Sequence, residues 1–251
     1  MNRCLHLTCA FALLSGFAGT TAGAQQGKPM RQLAYSFDIS ITQDRTVHSS
    51  GVGEAGGGTG SGMTHYGGGN SDKGTITIDV LMVQPDTGLV VSVAEQGRGD
   101  RTAAPATCVV YGIGSVVCDP DKKVNEEEMS LLRVLGRNFV NPSQLDLKKH
   151  WQNVNAMPGG KEVNDYTISS DNNNGLLSID YQRALTIEGA NGYRADTSGN
   201  ISYNQKLSVP LKLKEDTVTR RHVGQGQDDR IEQQLTLTLT TDSLAQAATI
   251  P

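Results

Sequence analysis

Long apolar runs are nearly absent from this 251-residue sequence. The one exception lies at the start, from Leu5 to Leu14, and it is half the roughly 20 residues a membrane-spanning helix needs. Charge is sparse, at 19% against a usual figure of about 25%. Basic residues are not in excess, since the formal net charge is −4, which excludes the electrostatic footprint of a nucleic-acid-binding chain. Aromatic residues make up only 5%, with a single tryptophan, and this argues against a dense aromatic core. Catalytic signatures are missing as well. No serine stands in a Gly-x-Ser-x-Gly elbow, no Cys-x-x-Cys occurs, and no two of His48, His65, His150 and His222 have zinc-ligand spacing. The sequence thus predicts a protein that is not an enzyme and needs no cofactor or metal.

The opening run is preceded by Arg3 and followed by the small residues Ala22, Gly23 and Ala24. That is the form of a secretory signal peptide, residues 1–24, cleaved after Ala24. Its removal leaves 21 basic and 26 acidic residues, a net of −5, and a single β-rich domain over residues 25–251. The expected location is the periplasm or the cell exterior. Two cysteines then remain, Cys108 and Cys118, and an oxidising compartment would join them. The stretch between them is nearly symmetric about Ile113, which sets Val109 opposite Val117 and Val110 opposite Val116 in a stapled hairpin.

What the sequence does hold is alternation. Leu33, Tyr35, Phe37, Ile39 and Ile41 are apolar with polar residues between them, the period of a strand with one buried face. The same pattern runs through Ile76 to Met82, Leu89 to Val93, Leu177 to Ile187, Ile201 to Leu213 and Ile231 to Leu239. Pro210 lacks a donor, so its strand is expected at an edge or bulged there. Turns are expected at Pro85–Gly88, Asp171–Gly175 and Asp196–Gly199. Between Gly51 and Gly74, 11 of 24 residues are glycine, and with so little apolar surface to bury, a mobile loop is expected. Residues 245–251 are expected to fray.

One stretch breaks the alternation. Asn125 and Glu128 have the spacing of a capping box, Glu126 and Glu127 suit a helix N-terminus, and Leu131, Leu132, Leu135 and Phe139 recur at helical spacing before Pro142. A short amphipathic helix is predicted there. About nine strands joined by short connections, with no helix between neighbours, make an antiparallel sheet. One helix cannot cover a flat sheet of that width, so the sheet should curve around it as a half-barrel.

Other motif matches reduce to local structure. Gly51 to Gly56 fits a dinucleotide fingerprint, but no βαβ unit surrounds it. Arg98-Gly99-Asp100 matches an adhesion tripeptide and reads as a turn. Asp171 to Gly175 lacks the glutamate of a calcium loop. Helix capping suffices to explain Glu126 to Glu128.

Hairpins, then a short amphipathic helix from Leu131 to an Asn141-Pro142 break and Trp151, then long one-faced strands, form a layout that resembles the helix-plugged periplasmic lipid and lipoprotein carriers of the LolA and LppX type. Leu135-Gly136, Phe139-Val140-Asn141-Pro142 and Trp151 are also similar to a block in bacterial secreted proteins of unknown function. The carrier resemblance implies an apolar, lipid-like ligand on the concave face of the sheet, with Phe37, Tyr181, Tyr203, Leu132 and Phe139 as lining residues. The glycine-rich segment and the disulfide hairpin have no counterpart in the carrier pattern. An envelope structural or adhesion module, acting through Gly51–Gly74 or Arg98–Asp100, is the alternative.

Overall fold

The computed structural model describes residues 28–50, 61–84, 88–97, 104–111, 114–141, 143, 145–189, 192–224 and 227–247. The expected signal peptide (residues 1–24), residues 51–60, Pro85–Thr87 of the expected turn, the Arg98–Asp100 tripeptide and residues 248–251 lie outside them. The described strands are β1 (Arg31–Ser50), β2 (Ser61–Gln84), β3 (Gly88–Gln96), β4 (Ala106–Val110) and β5 (Val116–Cys118), then β6 (His150–Met157), β7 (Gly160–Asp171), β8 (Leu176–Ile187), β9 (Tyr193–Asn204), β10 (Val209–Gly224) and β11 (Gln227–Asp242). A helix, α1 (Glu126–Arg133), separates the two groups, and α2 (Ser243–Ala247) follows β11.

All eleven strands form one open antiparallel sheet, in the order β5-β4-β3-β2-β1-β11-β10-β9-β8-β7-β6. Each half is a simple meander, and the first and last strands join at the centre, with Phe37 opposite Leu237 and Ile39 opposite Leu235. The sheet curls so far that its two ends converge on α1. A Cβ built on Gly114, between β4 and β5, would lie 3.0 Å from the Arg133 carbonyl and 3.6 Å from the Tyr166 hydroxyl of β7. Leu33, Tyr35, Phe37, Ile76, Ile78, Val91, Ile179, Ile201 and Leu213 point inward from the strands and meet Leu131, Leu132, Leu135 and Phe139 in one buried cluster. The disulfide hairpin has the expected register, with Cys108 opposite Cys118 and bonded to it.

Five expectations need correction. Among the described residues the strands number eleven, not about nine, because the inward positions of β6 and β7 include Asn153, Glu162 and Asn164, which hide the alternation. Residues 61–74 are not a loop: they form the first half of β2 and pair with β1 as far as Ser61 opposite Ser50. The helix stops at Arg133, because Gly136 takes φ +100° and turns its N–H to the Ser208 carbonyl at 3.2 Å. Asp196–Gly199 is no turn but lies within β9, where Thr197 is buried and Gly199 sits under the Tyr181 ring. In the tail, Ala245–Ala247 belong to α2. Pro210 lies in an interior strand and takes the bulge, with a register shift between Pro210 and Lys212.

Candidate functional site

The five residues expected to line a ligand are all buried in the plug region. Phe139 lies 5.3 Å from Tyr203, 5.2 Å from Tyr166 and 5.6 Å from Trp151, and Tyr166 stacks on Tyr181 at 5.7 Å. Phe37 reaches over Gly74 on the neighbouring strand. The Tyr203 hydroxyl donates to the Gly136 carbonyl at 2.7 Å, which ties the end of the helical segment to β9. Edge-to-face and stacked rings at these separations are close packing, so Phe139, Trp151, Tyr166, Tyr181 and Tyr203 are gathered into one dense cluster, contrary to the expectation from the scarcity of aromatics.

Next to this apolar plug runs a buried polar seam. Glu215 of β10 is enclosed, and it accepts hydrogen bonds from the Tyr181 hydroxyl and from Ser130 of α1 at 2.9 Å. Burial raises its carboxyl above the ordinary range, against the opposing pull of Arg183. Arg183 of β8 pairs with Glu126 at 2.7 Å and lies 3.7 Å from Glu162. Arg133 pairs with Glu126 at 3.1 Å and with Glu162 at 3.4 Å. Burial alone would lower the Arg183 guanidinium, but the charges of Glu126 and Glu215 outweigh it and hold it above its ordinary value. Capping therefore does not exhaust the acidic run: Glu128 accepts from the Asn125 N–H at 2.7 Å, while Glu126 faces the sheet's arginines.

Beyond the seam no helix of the described residues covers the concave face. The cross-strand register puts Leu185, Ala195, Thr219, Ile231, Gln43 and Gly68 in one row across it. The next row outward holds Ile187, Tyr193, Arg221, Asp229, Arg45 and Tyr66. These residues share the inward face because side chains alternate along a strand and Ile39 and Ile41 precede Gln43 and Arg45 on β1. At one side lies an open cleft of about 720 Å³. Its apolar walls are Ile41, Val47 and Tyr66, and its polar groups are Gln43, Arg45, Asn70 and Gln227. Gly67, Gly68 and Gly69 form the remaining wall. A Cβ on Gly68 would meet nothing within 4 Å, so packing inside the chain does not require glycine there. Arg45 binds Asp229 side-on, at 2.7 and 3.0 Å. That hydrogen bond holds the Asp229 carboxyl below its ordinary value.

The sequence offered no pointer to this trough, because its parts come from Ile41 to Val47, Tyr66 to Asn70 and the start of β11. Only the sheet register brings them together. Of the histidines, His150 is described: its ring lies 3.4 Å from Asp146 and 3.2 Å from Asp165, away from the trough. The side chains of His48, His65 and His222 lie outside the described residues.

No protein-family model and no curated protein matches the sequence. Among solved structures, the chain is similar to one titled "Lipid-protein interactions in lipovitellin", with a TM-score of 0.44 and 11% sequence identity. The match covers 86% of this chain and 25% of that one, so the chain spans a quarter of the neighbour's length.

Proposed function

We propose that this is an exported, non-enzymatic binding protein that holds an elongated, lipid-like ligand in the uncovered half of the concave face. The observation that carries the reading is the cleft beside Gly67–Gly69. It has the size of a small-molecule site, roughly 300–1,000 Å³, and apolar walls, and it is kept open at the inward-facing Gly68, where a Cβ would meet nothing within 4 Å among the described residues. The row containing Leu185, Ala195 and Ile231 extends the apolar floor toward β8. In this reading Phe37, Leu132, Phe139, Tyr181 and Tyr203 fill the plug that closes one end of the trough. Export is supported by the disulfide, which belongs to an oxidising compartment.

The test is organic extraction of the purified full chain and mass analysis of what is released, alongside Gly68→Phe. The wild type should yield or take up single-chain lipids. The variant should keep the fold, by circular dichroism, and lose most of that capacity. A wild type that neither carries nor takes up lipid would end the proposal in favour of an envelope structural or adhesion module.

A further inference from the structure

The trough has a charge pattern that its apolar walls do not explain. On one row of the sheet, Arg221, Asp229 and Arg45 stand on three adjacent strands, all on the concave face. Two guanidinium groups flank one carboxylate, which leaves an excess of one positive charge on a chain whose formal net charge is −4. The side-on pair engages Nε and Nη2 of Arg45 and leaves Nη1 outside it. The Arg45 side chain is 44% exposed, while that of Asp229 is 10% exposed. Asp229 is thus set behind the arginine as its support, and the guanidinium is what an incoming molecule meets. Among the described residues, Arg45 is the one charged residue lining the cleft, and its polar neighbours Gln43, Asn70 and Gln227 all carry amide donors. No carboxylate of the described residues lines it.

From this we infer that the ligand carries an anionic head group, a carboxylate or a phosphate monoester. Arg45 holds it with help from Arg221, and its chain lies along Ile41, Val47 and Ile231. The inference rests on the binding reading above and adds the sign of the head group. A guanidinium is suited to either anion, because its planar fork matches both. A neutral or cationic head would leave the row's excess charge uncompensated.

Palmitate, hexadecyl phosphate, hexadecanol and hexadecyltrimethylammonium, each titrated into the full chain, have main chains of equal carbon count, palmitate's carboxyl carbon included, and differ in the head. The two anions should bind about tenfold or more tightly than the alcohol, as a charge-assisted contact implies, and the ammonium should bind most weakly. The stronger of the two anions identifies the carboxylate or the phosphate. Arg45→Gln should bring anion and alcohol within about threefold of each other, whereas Arg45→Lys should keep part of the preference. If Arg45→Gln does not fold, Arg221→Gln takes its place with a smaller expected loss. Equal binding of all four heads by the unaltered chain would overturn the anion inference and leave the binding reading standing. Binding of none of them would remove that reading itself.

Discussion

Glycines in this protein divide into two kinds by what surrounds them. A Cβ on Gly199 would fall 2.3 Å from the Tyr181 ring and 2.6 Å from the Lys214 carbonyl, and one on Gly74 would fall 2.1 Å from the Gln96 carbonyl and 2.6 Å from Phe37. In both places an inward aromatic lies across the bare backbone of its neighbour, and backbone atoms cannot yield as a flexible side chain can. Gly199→Ala should therefore cost about 1–3 kcal/mol of stability by overpacking. Gly68→Ala, with open space around it, should gain about 0.5 kcal/mol by stiffening the unfolded chain. Urea denaturation of both variants measures the contrast. Comparable losses at the two positions would mean that Gly68 is packed as closely as Gly199.

Among the elements, α1 is docked by two different surfaces. Leu131 and Leu132 enter the apolar cluster, while Ser130, Glu126 and Arg133 meet the polar seam. Glu215 gives the seam a pH signature. Its folded-state carboxyl sits above its ordinary value because it is buried, so between the unfolded and folded values the native state binds the extra proton. Stability from this group is greatest below the unfolded value of 4.5 and declines as pH rises through the folded one. Denaturant titrations of wild type and Glu215→Gln between pH 4 and 7, subtracted from one another, should give a difference that falls with pH. A flat difference would place Glu215 in contact with solvent.

How far the sequence discloses these elements depends on which force sets each. Strands with apolar inward faces, such as β1 and β8, are plain from alternation, and the paired cysteines follow from symmetry. The first half of β2 has no apolar face and is held by its ladder to β1, a non-local cause that composition cannot express. The helix end is decided by Gly136 and its bond to Ser208, and only the glycine is visible locally. The plug residues are legible as core. The trough is not, since Arg45, Tyr66 and Asp229 become neighbours only through pairing registers.

Taken whole, the molecule is closed at its centre by the seam between β1 and β11. Arg31 binds Asp242 through Nε at 2.9 Å and through Nη2 at 2.5 Å, and it also donates to the Leu207 carbonyl at 2.7 Å. Asp242 is almost fully enclosed. Burial pushes its carboxyl up, but the bonds from Arg31 and from the α2 backbone outweigh that and hold it below its ordinary 3.8. The sign is opposite to that of Glu215: this contribution is complete above 3.8 and is lost as pH falls through the lowered folded value. Asp242→Asn should cost about 3 kcal/mol at neutral pH, since it leaves a largely buried guanidinium unpaired. It should also make stability less sensitive to acid below pH 4. Thermal melts across that range distinguish this from a surface pair, whose removal would change little.

The same seam governs the order in which the fold can be reached. Arg31 and Asp242 are 211 residues apart, yet β1 and β11 are neighbours at the middle of the sheet. The two meanders can each begin from local hairpins, but neither has its central neighbour before β11 is available. Contacts so distant in sequence slow folding, because loop closure must precede them. A chain threaded through a membrane from its first residue would therefore stay open until its last strand emerged. Its final strand is its keystone, and a chain truncated before β11 would keep two half-sheets with their central edges bare, the exposed template from which strand-to-strand aggregation starts.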